Sequence, residues 1–194
     1  YTDVGLKSYK EFDPELGWIN KAGNYSIKPV QSLLRNSFNI NSYGLRNREI
    51  NPQKDNTFRR IVILGDSFAF ANGIGDEDIF PTQLESILNR ELQGKYEVIN
   101  AGVEGYGTVQ EMLLMKRLAA NNIIGDSYLL MIFINDILDN LCLSYGDATE
   151  NLIQPKYGLD SNNKLVLERA SQKIITESSN LIPMGPGQSN IILF

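Results

Sequence analysis

The stretch RIVILGDSFAF, residues 60–70, decides the fold of this chain. Its apolar run Ile61–Leu64 is short, rich in β-branched residues and bounded by Gly65, which predicts a buried strand. Asp66 and Ser67 follow at the turn. In an open α/β sheet, ligands bind beyond the carboxyl ends of the strands. These two residues are therefore candidates for a functional site, although both are also good helix N-caps.

Length and composition suit one soluble domain with at most an appendage. The chain has 194 residues, of which 42% are hydrophobic and 21% charged. Its net charge is −5 and no basic residues cluster, which argues against a nucleic-acid partner. No apolar run approaches the roughly 20 residues of a membrane span. The lone cysteine, Cys142, excludes an intrachain disulfide, and the chain contains no histidine.

Two further apolar runs predict strands. YEVIN (96–100) is short, and SYLLMIFI (127–134) is continuous, which indicates a strand buried on both faces. Helical spacing predicts a helix that begins near Pro81 and another over Val109–Ala120. The alternation of strands and helices predicts a parallel sheet that is covered on both faces.

The sequence on either side of this alternating region has a different pattern. Residues 1–58 predict a loop-rich arm packed on a main domain of residues 59–194, with an insertion at about 141–168. The turn at 160–163 within this insertion predicts a hairpin. A short helix is expected over 169–180, and the start of a strand over 190–194.

The arm permits a second interpretation. Trp18, Tyr43 or Arg46 could line a substrate cleft instead of packing against the domain. Tyr1 is not a methionine, so we expect a processed or partial chain.

Three polar turns follow the three predicted strands, and in a doubly wound sheet these turns share one edge. Ser67 could supply a hydroxyl, the backbone of Gly105 an N–H group, and Asn135 a side-chain N–H group. Donors that converge on one oxygen form an oxyanion hole. The bland alternative is that Gly105 only shapes a turn and that Asn135 and Asp136 only cap a helix.

No cofactor or metal is expected. The glycine-rich loop at 102–107 matches neither a dinucleotide fingerprint nor a phosphate-binding loop. Asp66, Asp136 and Asp139 lack a defined ligand spacing, and scattered acids of this kind are usually solvated or capping.

Three blocks together resemble the SGNH (GDSL-type) hydrolases: GDSF at 65–68, NAGVEGYGT at 100–108 and NDILDN at 135–140. The stretches DPELGW, NSYGLRNRE and GDEDIFPTQLE resemble one bacterial branch of that family, so the resemblance covers about residues 12–140. It implies a three-layer α/β/α sandwich with a parallel, flavodoxin-like sheet. It also implies that Ser67 is the nucleophile and that Gly105 and Asn135 complete the oxyanion hole.

The implied reaction is hydrolysis or transfer of an acyl ester through an acyl-enzyme. The expected partner is a small-molecule, carbohydrate or lipid ester, and the resemblance favours a periplasmic or extracellular location. The oligomeric state stays open.

Two departures from the family pattern bear on catalysis. Phe133 and Ile134 stand where the third block often has glycine, and the DxxH block is missing. Without histidine, a serine hydroxyl has no ordinary base. We therefore expect that the chain is cut short before that block, and the alternative is an inactive ligand-binding module.

Overall fold

The computed structural model describes residues 9–27, 36–92, 94–141 and 152–173. Four helices and eleven strands lie within these ranges. The strands are β1 (Lys10–Asp13), β2 (Gly17–Asn20), β3 (Gly23–Ile27), β4 (Asn36–Ile40), β5 (Phe58–Gly65), β6 (Lys95–Gly102), β7 (Ser127–Leu130), β8 (Leu152–Ile153), β9 (Lys156–Leu159), β10 (Leu165–Arg169) and β11 (Gln172–Lys173). The helices are α1 (Ser67–Phe70), α2 (Phe80–Glu91), α3 (Thr108–Ala120) and α4 (Ile134–Leu141).

The central sheet has the strand order β6-β5-β7, and both pairings are parallel. Ile61 of β5 lies opposite Val98 of β6 on one side and Ser127 of β7 on the other. The first strand of the alternating region thus lies between the other two. Because all three strands run in one direction, their carboxyl ends meet at one edge of the sheet, called here the carboxyl edge.

Helices cover both faces of this sheet. Val62 and Leu64 of β5 belong to the same core cluster as Leu113 of α3. Ile63, which points to the opposite face, packs in a second cluster with Leu84 of α2. Neighbouring residues of a strand point to opposite faces of the sheet, so they belong to different core clusters. The predicted α/β class, with a parallel sheet between helical layers, is confirmed.

The third strand differs from the prediction in length and in burial. Strand pairing stops at Leu130, four residues before the end of the apolar run, and every residue of β7 is exposed. The reason is that β7 pairs only with β5 within the described sheet. A continuous apolar run predicts cover on both faces, and the exposure of all four β7 residues shows that this cover is incomplete.

The helix predictions hold for both long helices. Pro81 lies in the first turn of α2, and α3 covers the expected range. Ile87 of α2 is nevertheless 44% exposed, so helical spacing alone overstates its buried face. None of the described helices is long and apolar enough to cross a lipid bilayer.

The arm folds as two antiparallel hairpins, β1-β2 and β3-β4. Trp18 and Arg46 are each 1% exposed, so neither lines an open cleft, and that interpretation is wrong for both. Tyr43 is partly buried against the main core. The division of the chain at residue 58 stays a prediction.

The predicted hairpin is present as β9 and β10, which pair antiparallel around the turn at 160–163. The expected helix over 169–180 is wrong for Gln172–Lys173, which pair with β8 as β11. The rest of that helix, Cys142 and the expected strand at 190–194 lie outside the described residues.

Candidate active site

Asp66 and Ser67 lie where β5 turns into α1. Asp66 is the N-cap, since its side-chain Oδ1 accepts a hydrogen bond from the Phe68 N–H at 2.9 Å. The capping interpretation is thus confirmed for Asp66. Ser67 is the first residue of the helix and is only partly buried. Within the described ranges its N–H group donates no hydrogen bond, as is usual in a first helical turn.

The loop after β6 lies beside this turn. The Val103 N–H donates to the Gly65 carbonyl at 3.0 Å, which continues the pairing of β5 and β6 past the ends of both strands. Gly105 has a φ of +80°, a left-handed conformation that favours glycine. Its N–H group also donates no hydrogen bond to any residue that the structure describes.

Asn135 reaches the same edge from the first turn of α4. Its Nδ2 donates to Asp66 Oδ2 at 2.8 Å and to Asp139 Oδ2 at 3.0 Å. The structure thus brings Asn135 against the residue that precedes Ser67. Both amide hydrogens are directed at carboxylates, so a donor role for Asn135 requires one of these contacts to open.

Four buried acids surround this position and form what we call the carboxyl cluster. Their exposed fractions are 2% or less, and the members are Asp66, Glu111, Asp136 and Asp139. Among the described residues, neither carboxyl oxygen of Glu111 has a hydrogen-bond partner. Burial raises the pKa of Glu111 to about 8, and the charges of Asp136 and Asp66 act in the same direction.

The other two acids on α4 have altered pKa values as well. Burial raises the pKa of Asp136 and outweighs the hydrogen bond from the Phe133 N–H, which is 2.7 Å from Asp136 Oδ2. Burial also raises the pKa of Asp139, against the opposing effect of the Asn135 amide. Because its pKa is about 8, Glu111 keeps its proton at neutral pH, which reduces the repulsion between the acids.

The described residues contain no group of three or more acidic, cysteine or histidine side chains arranged to hold a metal ion. Since the 194 residues include no histidine, no imidazole can accept the Ser67 proton within them.

Two contacts position the site and were not predicted from the sequence. Asn140 Nδ2 donates to Thr108 Oγ1 at 2.6 Å, which fixes α4 against the beginning of α3. The buried guanidinium of Arg46 donates to the carbonyls of Phe70 at 2.9 Å and Ala71 at 2.7 Å, at the end of α1. Both join segments far apart in the chain, which periodicity does not reveal.

The carboxyl edge therefore combines a hydroxyl group with two N–H groups that have no partner in the described part of the chain. Ser67 provides the hydroxyl and one N–H, and Gly105 provides the other. A hydroxyl group and free backbone N–H groups are among the components that acyl transfer requires. No hydrogen bond joins the Ser67 hydroxyl to a base among the described residues.

Comparison with solved structures gives similarity to the esterase AlinE4, described as an SGNH-hydrolase family esterase, at 24% identity with a TM-score of 0.38. A mutant of AlinE4 with aspartate replaced by alanine gives 24% identity and a TM-score of 0.39, and covers 46% of this chain. A serine-to-alanine mutant gives 23% identity and a TM-score of 0.38 over 46% of this chain.

The match covers 44% of this chain for AlinE4 itself. The matched part spans only about half of the solved structures, from 45% to 47% of their chains. No family model matches the chain, and no curated protein matches it either.

Proposed function

We propose that this chain carries the nucleophile and the oxyanion hole of an enzyme that hydrolyses or transfers an acyl ester. The supporting observation is the meeting of three polar turns at the carboxyl edge. There, Asn135 lies 2.8 Å from Asp66, next to Ser67, and Gly105 follows the neighbouring strand.

In this proposal, Ser67 Oγ forms a bond to the acyl carbon of the ester and loses its proton to a base. The carbonyl π electrons move onto the oxygen, and the N–H groups of Ser67 and Gly105 stabilise the resulting oxyanion. Collapse of that intermediate expels the alkoxide, which takes the proton back from the base to leave as the alcohol, and an acyl-enzyme remains on Ser67. Water then releases the acid, or a second alcohol takes the acyl group.

Asn135 is the third proposed donor. Its amide can turn to the oxyanion when its contact with Asp139 or Asp66 opens, which costs one charge-assisted hydrogen bond and gains another. The proposed substrate is an ester of a small molecule, a carbohydrate or a lipid. We place this activity outside the cytoplasm, in the periplasm or the extracellular space.

The base is the open component of this mechanism. The 194 residues contain no histidine, and neither carboxyl oxygen of Glu111 has a hydrogen bond to Ser67. We therefore expect the 194 residues alone to retain only the catalysis of the oxyanion hole and of binding, on the order of 10³-fold over water.

The test is turnover of p-nitrophenyl acetate by the wild type, Ser67→Ala and Asn135→Ala. If the gene encodes residues beyond Phe194, the longer chain is assayed beside the 194-residue chain, with each histidine it adds changed to alanine. In the longer chain we expect Ser67→Ala to lower turnover to that residual level and Asn135→Ala to lower kcat on the order of 10²- to 10³-fold. Ser26→Ala, an exposed serine on β3, is the matched control and should keep full activity.

A second candidate function is a ligand-binding module that does not catalyse. It is favoured by the absence of histidine and by the engagement of both Asn135 amide hydrogens with carboxylates. Equal turnover by the wild type and Ser67→Ala, in the longest chain that the gene encodes, would remove the nucleophile assignment. Saturable binding of an acylated sugar by both proteins would then support the module.

A further inference from the structure

Trp18, the only tryptophan of the chain, is 1% exposed on β2 and contacts the loop after β6. Its Nε1 donates a hydrogen bond to the Glu104 carbonyl at 3.1 Å. Its ring meets the Tyr106 ring edge-on, with 5.7 Å between the centroids. A Cβ atom at Gly105 would lie 3.3 Å from its Cζ2. The indole thus contacts three consecutive residues of the loop that carries the proposed donor.

The hydrogen bond from the indole acts on one peptide unit. The carbonyl oxygen of that unit belongs to Glu104, and its N–H group belongs to Gly105. In a planar trans peptide these two groups point in opposite directions, and no cis peptide occurs in the described chain. Because the carbonyl faces the indole, the Gly105 N–H faces away from it and stays available to a ligand.

Further contacts hold the same loop against the first hairpin. The Tyr106 hydroxyl donates to the Trp18 carbonyl, so one hydrogen bond runs from β2 to the loop and another from the loop back to β2. The Glu104 carboxylate contacts Lys10 Nζ at 3.3 Å, and Gln110 Nε2 donates to the Leu16 carbonyl at 2.6 Å. A reversal of the Glu104–Gly105 peptide would therefore break a partly buried hydrogen bond while its neighbours stay fixed.

We infer that Trp18 is a positioning residue for the oxyanion hole, an inference that rests on the proposed function. The indole N–H holds the Glu104–Gly105 peptide so that the Gly105 N–H faces the acyl oxygen of an ester at Ser67. In the reversed orientation the peptide would present a carbonyl oxygen to the oxyanion and repel it. Trp18 itself is too buried to touch substrate.

The first variant is Trp18→Phe, made in the longest chain that shows Ser67-dependent turnover. It keeps an aromatic ring and removes the N–H donor. Loss of one oxyanion donor lowers kcat on the order of 10²- to 10³-fold, and a misdirected donor should cost at least about tenfold. KM for p-nitrophenyl acetate should change by less than about threefold, because the ester still reaches Ser67.

The matched control is Tyr25→Phe on the neighbouring hairpin. It also removes one polar group from an aromatic side chain, a hydroxyl that donates to the Lys21 carbonyl at 2.9 Å. It leaves the loop after β6 untouched, so kcat should equal that of the wild type. As a second variant, benzothienylalanine at position 18 keeps the indole shape without the N–H, in case Trp18→Phe folds poorly.

A measurement that does not depend on turnover completes the test. In ¹⁵N-labelled protein, the amide resonance of Gly105 should shift in the Trp18 variants, because the Glu104 carbonyl in the same peptide unit loses its hydrogen bond from the indole. The resonance should keep its position in Tyr25→Phe. An unchanged kcat and an unmoved Gly105 resonance in the benzothienylalanine protein would overturn the role of Trp18 alone. Equal turnover by the wild type and Ser67→Ala would overturn the proposed function, and with it the catalytic role of Trp18.

Discussion

At the scale of single residues, Glu111 is the buried acid whose titration should affect the stability of the fold most. It lies in the first turn of α3 with 0% exposure, and both of its carboxyl oxygens are unpartnered among the described residues. A charged carboxylate in that position would have neither water nor a hydrogen bond to stabilise it. Because burial raises its pKa to about 8, Glu111 keeps its proton at neutral pH.

The stability of the fold should therefore depend on pH through Glu111. The unfolded chain releases this proton near the ordinary pKa of 4.5, whereas the folded chain holds it to about pH 8. The free energy of unfolding should thus be highest below pH 4.5, as far as Glu111 is concerned, and fall as the pH rises to about 8. Glu111→Gln should remove this loss and be more stable than the wild type at pH 9 by about 2 kcal/mol.

Urea unfolding at pH 5, 7 and 9 measures the effect of Glu111→Gln. The control is Glu91→Gln on α2, whose side chain is largely exposed and should leave the pH dependence as it is. An identical fall in stability from pH 5 to pH 9 in the wild type and Glu111→Gln would show that Glu111 is not the group that titrates.

At the scale of elements, the contact between α1 and β6 decides where Ser67 lies. Gly102 ends β6 against α1, and a Cβ atom there would lie 2.4 Å from the Phe70 nitrogen and 2.6 Å from the Ala69 carbonyl carbon. Both are backbone atoms of α1, which cannot move aside as a flexible side chain can. Only glycine lets the helix that begins with Ser67 approach the sheet this closely.

Gly102→Ala should push α1 away from β6 and lower the free energy of unfolding by about 1–3 kcal/mol, the usual cost of overpacking. It should also reduce any Ser67-dependent turnover, since the hydroxyl moves with the helix. The measurements are urea unfolding and kcat. Gly75→Ala, where the added Cβ meets open space, is the control. Equal effects of both substitutions would contradict the close packing of α1 on β6.

Elements such as β5 and α3 could be predicted from the sequence, because the spacing of their apolar residues matches the faces that their neighbours cover. The end of β7 could not be predicted in this way. The apolar run continues to Ile134, but the Phe133 N–H turns to the side chain of Asp136 and begins α4. The hydrophobicity of a run indicates which side chains favour burial. The end of a strand depends instead on where the backbone N–H and C=O groups take hydrogen-bond partners outside the sheet.

The candidate site could likewise be predicted from the sequence only in part. That Ser67, Gly105 and Asn135 belong to one edge follows from the strand order, which the alternation of elements predicts. The hydrogen bond from Trp18 to Glu104 joins residues 86 positions apart and leaves no periodic signal in the sequence. The engagement of Asn135 with two carboxylates likewise depends on side chains that meet only in the fold.

At the scale of the whole molecule, the N-terminal hairpins and the central sheet share one core. Leu16, Trp18 and Leu45 are buried in the same cluster as Val62 and other sheet residues. An ion pair between Arg117 of α3 and the buried Asp13, with 2.7 Å between Nη1 and Oδ2, also links the two parts. We therefore expect the hairpins and the sheet to unfold together.

The single tryptophan allows this to be measured directly. Trp18 fluorescence reports on the first hairpin, while the described helices, which dominate the far-ultraviolet circular dichroism, all follow β5. If the molecule unfolds as one unit, both signals should change at the same urea concentration. Leu16→Ala creates a cavity in the shared core and should shift both transitions equally, by about 2–5 kcal/mol.

Phe12→Ala is the control for Leu16→Ala, because Phe12 lies on the same hairpin with 36% exposure and should shift both transitions only slightly. A fluorescence transition that precedes the circular dichroism transition, or a Leu16→Ala effect confined to fluorescence, would mean that the hairpins separate from the sheet before it unfolds. Trp18 would then leave the Glu104–Gly105 peptide while Ser67 is still in place. Coincident transitions would instead mean that Trp18 holds the Glu104–Gly105 peptide for as long as the sheet is folded.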